Sequence, residues 1–377
     1  MRIAVPVEAP GERRVALTPQ VVLRLVEQRH RIVVEQGAGA GAGFSDQEFV
    51  DAGAQVVADP YPGAEVVLVV GPPTAETTGK VPEGAVLIGF LDPFTSVDRT
   101  KTMTTRRITS IAMEAIPRTT LAQGMDALSS QATAAGYEAV LLAASTIPRL
   151  FPMLTTAAGT IAPVKLLVLG AGVAGLQAIA TARRLGAVVS AYDVRPEVRE
   201  QIESLGARFV AAPVDESASA ATGYAREVTD ETQRRQMAAL APHVAAADVV
   251  ITTAQIPGAD APLLVSREMV EGMHPGSVIV DVAAPTGGNC EMTDPGATIV
   301  HHGVTVIGPL DLASRASVDA SQMYARNLAA LLARMTGDDG GLTLDFDDKI
   351  ISDSCITHAG EVVHPVVRRN LNLEGTP

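Results

Sequence analysis

An apolar run, Lys165-Leu166-Leu167-Val168-Leu169, leads into Gly170-Ala171-Gly172-Val173-Ala174-Gly175, then a stretch of helical spacing to Gly186, then a second apolar run ending in Tyr192-Asp193. This order dictates strand, tight turn, helix and parallel strand, because parallel neighbours need a crossover and a helix supplies it. Each glycine has its own reason. The first permits the turn, the second lets backbone approach a pyrophosphate, and the third lets helix and strand pack closely. The amides and positive dipole end of the helix then face the phosphates. Asp193 stands 18 residues beyond Gly175, at the end of the second strand, where a carboxylate accepts from a ribose 2′-hydroxyl and repels a 2′-phosphate. The unit therefore predicts NAD(H), with Arg195 as a contrary signal, since an arginine there can accommodate NADP. Glycines that only make a tight turn are the competing reading, and the strand, helix and acid in register argue against it.

Alternation of short apolar runs with helical patterns extends over most of the chain. Residues 18–28 read as a helix, followed by apolar runs at 31–34, 66–70 and 86–88; such continuous runs read as parallel strands buried on both faces. Ser45 and Glu48 have the spacing of a capping box and predict a helix start. A second alternating series begins at Lys165 and continues through 188–189, 249–251, 278–280 and 304–307. The pattern predicts two α/β domains, each a doubly wound parallel sheet. Between them, residues 119–142 carry only Asp126 and Glu138 as charges and no proline, which predicts one long, largely buried helix joining the domains. Residues 319–335, with Met323, Leu328, Leu331 and Leu332 at helical spacing, lead to a tail with Leu342, Leu344, Ile350 and Ile351. That pattern predicts a return to the first domain, which becomes discontinuous: 1–126 with 311–377, and 127–310 for the NAD(H)-binding domain.

Arg118 precedes the predicted joining helix, and Gln123, Asp126 and Ser129 or Ser130 recur at a spacing that places them on one helical face. A carboxylate buried there needs a partner. Either Arg118 pins the helix through Asp126, or a ligand completes the network. Residues 215–236, rich in small and charged types around Gly223-Tyr224, read as a lid or as a surface connection with a solvated tyrosine. His301-His302 has no Cys or Glu at metal-ligand spacing, and no metal is assigned.

Composition removes several classes. A net charge of −13 with no basic block argues against nucleic acid as a partner, and 7 Phe, 5 Tyr and no Trp leave few platforms for stacked bases. The longest uncharged stretch, 166–182, has 17 residues and three glycines, short of the roughly 20 apolar residues of a spanning helix. No signal-peptide pattern opens the sequence. Cys290 and Cys355 provide no disulfide framework, which fits a reducing cytoplasm.

With these residues together, the chain resembles over nearly its whole length the NAD(H)-binding subunit, or domain I, of the proton-translocating NAD(P) transhydrogenases, in the alanine dehydrogenase/transhydrogenase superfamily. The likeness rests on Arg118 with Gln123-Gly124-Met125-Asp126-Ala127-Leu128-Ser129-Ser130-Gln131, on the glycine unit through Asp193, and on Gly223-Tyr224-Ala225. Ile251-Thr252-Thr253-Ala254-Gln255-Ile256-Pro257-Gly258, Gly287-Gly288-Asn289-Cys290 and the tail Leu344-Asp345-Phe346-Asp347-Asp348 add to it. The resemblance implies two Rossmann-like domains, with Gly170, Gly172, Val173 and Gly175 at the pyrophosphate and Asp193, Val194 and Arg195 around the ribose. It places Thr253, Ala254 and Gln255 on the adenosine side, Gln255 standing where the family has Leu. It implies a mobile loop at Gly223 and Tyr224, and a catalytic group, Arg118, Gln123, Asp126 and Ser129, that orients the nicotinamide against NADPH. It further implies NADP(H) on a separate beta subunit, a membrane-spanning subunit that carries protons, a homodimer, and a cytoplasmic position at the inner (plasma) membrane held through those partners rather than by direct insertion.

Alanine dehydrogenase has a similar fold and is the competing reading, because Arg13-Arg14-Val15-Ala16-Leu17-Thr18-Pro19 occurs there in similar form. Its catalytic positions differ here: Gly71 stands for the substrate-binding lysine, Asp92 for the histidine and Pro285 for the acid before the paired glycines. An amino-acid dehydrogenase needs such groups to move a proton and polarise an imine. Hydride passing between two nicotinamides needs only position and exclusion of water. A third reading, outside enzymes, is an NAD(H) sensor that signals by closing its loop.

Overall fold

The computed structural model describes residues 1–211, 230–256, 259–337 and 339–373, and of residues 230–232 the backbone alone. The chain divides into two compact units, Met1–Gln131 with Ser314–Pro377, and Ala132–Ala313.

In the first unit, β1 (Arg2–Val5), β2 (Arg31–Glu35), β3 (Gln55–Val57), β4 (Val66–Leu68), β5 (Val86–Gly89) and β6 (Thr109–Ala112) lie parallel in the order β3-β2-β1-β4-β5-β6. The tail strands Cys355–His358 and Glu361–Val362 continue the sheet antiparallel beyond β6. The predicted apolar runs form these strands because helices cover both sheet faces. Helix Pro19–Glu27 opens with proline, whose missing N–H is no loss in a first turn, and buries Val21, Val22 and Leu25. Helix Asp46–Asp51 begins at the predicted capping box, with Ser45 and Glu48 each satisfying the other's amide. Helix Ser317–Arg334 places Tyr324, Leu328, Leu331 and Leu332 in the same core as Ile3, Val66 and Ile88, and Ile350 and Ile351 join them. The carboxy-terminal segment thus belongs to the first unit.

Ahead of its main sheet the second unit carries an exposed hairpin, β7 (Leu154–Thr156) and β8 (Gly159–Ile161). Its main sheet comprises β9 (Lys165–Leu169), β10 (Val188–Tyr192), β11 (Arg208–Phe209), β12 (Val249–Thr252), β13 (Val278–Asp281), β14 (Thr298–His301) and β15 (Val304–Ile307). The order is β11-β10-β9-β12-β13-β15-β14, parallel except for β14 against β15. Alternate residues feed two cores: Leu166, Val168, Ile251 and Val280 pack with Ala178 and Ile179 on one face, while Leu167, Leu169, Val250 and Ile279 pack with Leu240 and Val244 on the other. In both units the strand order reverses beside the first strand, which opens a crevice at the carboxyl ends of the strands.

Two predicted segments differ. Residues 230–236, read as part of a connection over 215–236, form the start of helix Asp230–Ala245. Residues 119–142 are not a single helix: a 3-10 turn, Thr120–Met125, precedes helix Ala127–Thr146. Asp126 leaves helical geometry at ψ 83°, and its carboxylate accepts from Ser129 N at 2.9 Å and Ser129 Oγ at 2.6 Å. It therefore caps the helix that starts at the next residue. The unit boundary falls inside that helix. No described helix is long and apolar enough to cross a membrane.

Candidate functional site

The second unit's crevice lies between the carboxyl ends of β9 and β12, and the glycine turn occupies it. Gly170 has φ +97°, and its carbonyl accepts from Thr253 Oγ1 at 2.9 Å. A Cβ on Gly170 would stand 2.9 Å from Ala254 N, and one on Gly175 would stand 2.0 Å from Gly170 O. Both glycines are thus fixed by internal packing. Gly172 is different: a Cβ there would meet nothing within 4 Å, although Gly172 directly precedes the 12-residue helix Val173–Arg184. The space beside its backbone is open where that helix presents its free amides, which fits a phosphate-bearing group. Val173 opens the helix and is exposed.

Asp193 follows β10 and is buried. Its carboxylate accepts from Ala171 N at 2.7 Å, inside the glycine turn, and from Arg195 N and Nε at 2.9 Å and Nη2 at 3.0 Å. These four bonds occupy both carboxylate oxygens, so a ribose hydroxyl competes with the Arg195 side chain for them. Arg195, the signal that pointed toward a 2′-phosphate, is here engaged with the acid that repels one. Val194 packs beside the second core.

The crevice wall opposite the glycine turn is held by a network centred on Asp281, an acid that the sequence reading does not name. Asp281, fully buried at the end of β13, accepts from Thr252 Oγ1 (2.7 Å), Ala283 N (3.1 Å), Asn289 N (2.7 Å), Cys290 N (3.0 Å) and Thr293 Oγ1 (2.6 Å). Gly288, at φ +86°, lets the loop wrap this carboxylate, since a Cβ would come within 2.7 Å of Asp281 Oδ2. Asn289 then clamps Ala254, accepting from its N at 3.0 Å and donating to its O at 2.8 Å. Thr253 and Ala254 are half-buried and Gln255 is exposed. The signals in the sequence are an acid ending an otherwise apolar strand run and the Gly287-Gly288-Asn289-Cys290 segment after it. Gly223 and Tyr224 lie outside the described residues.

The first unit repeats the strand order without the glycine turn. After β1 comes Pro6-Val7-Glu8, and the Glu8 carboxylate takes Val70 N at 2.6 Å and Gly71 N at 3.2 Å, beyond β4. The chain's own acid thus fills the amides that an anionic ligand would use. Burial pushes Glu8 up to about 7. Arg14 is held by Glu12 at 2.6 Å and by Gln131 at 2.7 Å. Of the polar group expected on one helical face, Asp126 and Ser129 are bonded as cap and first turn, while Arg118 and Gln123 are exposed on the approach to them. They do not share a helical face, because Gln123 belongs to the 3-10 turn. Leu121, in that same turn, is 75% exposed.

The three positions read from the sequence as departures from an amino-acid dehydrogenase have the following surroundings. Gly71 has no side chain, Pro285 lies in a 3-10 turn, Ala284–Thr286, and Asp92 bonds Thr95 Oγ1 and stands 3.6 Å from Arg99.

Fold and site together define a two-unit α/β oxidoreductase with a dinucleotide fingerprint in its second unit. Models of the N-terminal and C-terminal domains described as "Alanine dehydrogenase/PNT" match residues 4–135 and 139–365. The chain is 44% identical over 379 residues to the first part of the NAD(P) transhydrogenase alpha subunit of Rhodospirillum rubrum, covering 97% of this chain and 99% of that one. A solved transhydrogenase structure from Sinorhizobium meliloti superposes with TM-score 0.87 at 45% identity, over 96% of this chain and 99% of that one. A solved L-alanine dehydrogenase superposes with TM-score 0.82 at 28% identity, over 99% of each chain. The chain belongs to the alanine dehydrogenase/PNT family, as a homologue of the NAD(P) transhydrogenase alpha subunit.

Proposed function

We propose that the second unit binds NAD(H) and that the chain exchanges hydride between this nucleotide and NADP(H) held on a partner subunit, in an assembly that couples the transfer to proton movement across a membrane. The observation that carries this reading is the pairing of the glycine-turn crevice with Gly71, Asp92 and Pro285, which by resemblance replace the lysine, histidine and acid of an amino-acid dehydrogenase. When bound, the nicotinamide supplies the hydride chemistry. The chain's residues bind and orient. Backbone at Gly172 and the first-turn amides after it hold the pyrophosphate, Asp193 holds the ribose after exchanging Arg195, and Thr253 and Ala254, clamped by Asn289, shape the adenosine side. Arg118, Gln123, Asp126 and Ser129 orient the nicotinamide toward the partner's nucleotide, with Asp126 fixed by its bonds to Ser129. The exposed turn carrying Leu121 and Gln123 offers the partner an apolar and a polar contact side by side. The working unit is a dimer of this chain, docked peripherally at the membrane through its beta and membrane-spanning partners.

The test is hydride transfer with a purified NADP-binding partner domain. Gln123→Ala and Asp126→Asn should each lower the transfer rate by about tenfold or more, an amount equal to about 1.4 kcal/mol of lost positioning, with NADH affinity little changed. Unaltered transfer in both variants would remove these residues from the site.

A further inference from the structure

Among the described residues, one group of three metal-capable side chains stands apart from the nucleotide crevice: Glu271, His301 and His302 each bring a ligating atom to within 4.8 Å of the others. Sequence spacing conceals the group, because Glu271 lies 30 residues before His301. Two pieces of local structure assemble it.

The first is the β14–β15 turn. His301 pairs with Val304, so the connection has two residues, His302 at φ +50° and Gly303 at φ +79°. Positive φ at both is the type I′ combination that matches strand twist, normally filled by Asn-Gly or Gly-Gly. Neighbouring residues of a regular strand point to opposite faces. The left-handed backbone of His302 instead turns its ring back toward His301, with centroids 4.7 Å apart. The second piece is helix Arg267–Glu271, whose last residue supplies the carboxylate. Glu271 Oε1 lies 2.9 Å from His301 Nε2 and 3.9 Å from His302 Nε2.

Metal–ligand bonds of about 2.0–2.2 Å in a tetrahedral site place ligand atoms roughly 3.3 Å apart. The two separations from Glu271 Oε1, 2.9 and 3.9 Å, bracket that value, and all three ligand atoms lie within 4.8 Å of one another. Two imidazoles and a carboxylate suit Zn²⁺ and neighbouring transition ions rather than Mg²⁺ or Ca²⁺, which prefer oxygen sets, and leave a fourth position for water. The three side chains remain accessible, at 21%, 60% and 35% exposure for His301, His302 and Glu271. The two cysteines do not compete: burial pushes Cys290 up to about 11 and Cys355 up to about 12, and the thiolate is the ligating form. Because β15 starts at Val304 and runs parallel to β13, the turn sits at the amino end of the parallel strands, opposite the carboxyl ends that form the nucleotide crevice.

We propose that Glu271, His301 and His302 form a Zn²⁺-class site that clips the β14–β15 hairpin to helix Arg267–Glu271, separate from the nucleotide site. Titration of the full chain with Zn²⁺ alone, by calorimetry, should give one ion per chain at micromolar concentration, and Co²⁺ in its place should give the visible bands of a four- or five-coordinate ion. His301→Ala and His302→Ala should each weaken Zn²⁺ binding by at least about tenfold and abolish the Co²⁺ bands. NADH affinity and the circular dichroism spectrum should stay unchanged, which shows that the variants are folded. Zn²⁺ binding that is absent at micromolar concentration, or equally tight in the H301A/H302A double variant, would overturn the proposal and mark any uptake as adventitious.

Discussion

Gly172 and Gly175 belong to one motif, yet they carry different physical loads. Gly175→Ala forces a Cβ against Gly170 O and should cost about 3 kcal/mol of stability, read as a lower unfolding midpoint in urea. Gly172→Ala meets only open space and should leave that midpoint in place while weakening NADH binding by about tenfold, or roughly 1.4 kcal/mol, in a fluorescence titration. Equal loss of stability in both variants would contradict the separate roles. These glycines and Asp193 are legible in the sequence because a strand, a helix and a strand each have a fixed period that sets them in register. The bonding of Arg195 to Asp193 is not legible, since it depends on how the backbone turns after β10. Asp126 has the spacing of a helical-face residue, yet its own carboxylate, by capping at Ser129, decides that the helix begins after it.

Elements are most legible where they are apolar and continuous. The runs at 66–70, 86–88, 249–251 and 278–280 all contain buried strands, and the capping box at Ser45 marks a real helix start. The bonds that hold one element to the next are less legible, because they span long separations. Asp281 ties β12, β13 and the loop after it through five donors, and Asp281→Asn turns an amide group toward several of them. It should cost about 3 kcal/mol or more; a urea midpoint equal to that of the native chain would show the network to be dispensable. In the first unit, Glu114 accepts from Leu91 N at 2.9 Å and Asp92 N at 2.6 Å through Oε1, while its Oε2 is sealed from solvent with no hydrogen-bond partner among the described residues. Desolvation raises this acid from 4.5 to about 7. Between those values the native state binds more protons than the unfolded chain, so the contribution of Glu114 is fully present below about 4.5 and falls as pH rises through about 7. Glu114→Gln keeps the Oε1 bonds and removes the titration. Relative to that variant, the native chain should lose on the order of 2 kcal/mol between pH 4.5 and 7.5, whereas parallel pH profiles would refute the assignment.

At the scale of the whole molecule, two units with the same order of parallel strands differ in the segment after the first strand. In the second unit it is a glycine turn with open space beside Gly172; in the first it is Glu8, seated on the amides of Val70 and Gly71. Periodicity discloses the two sheets and the returning carboxy-terminal helix. It does not disclose the Glu271–His301 pairing, which depends on a turn and a helix end far apart in sequence. Nor does the fold separate the two activities of the family, since an L-alanine dehydrogenase superposes with TM-score 0.82. On the proposed reading, Gly71, Asp92 and Pro285 carry that distinction. The most direct measurement is therefore hydride transfer from NADPH to an NAD analogue of distinct absorbance, with and without a purified NADP-binding partner domain, beside a control containing L-alanine and NAD. Transfer that requires the partner, with no reduction of NAD by alanine, is the predicted result; reduction of NAD by alanine with this chain alone would contradict it.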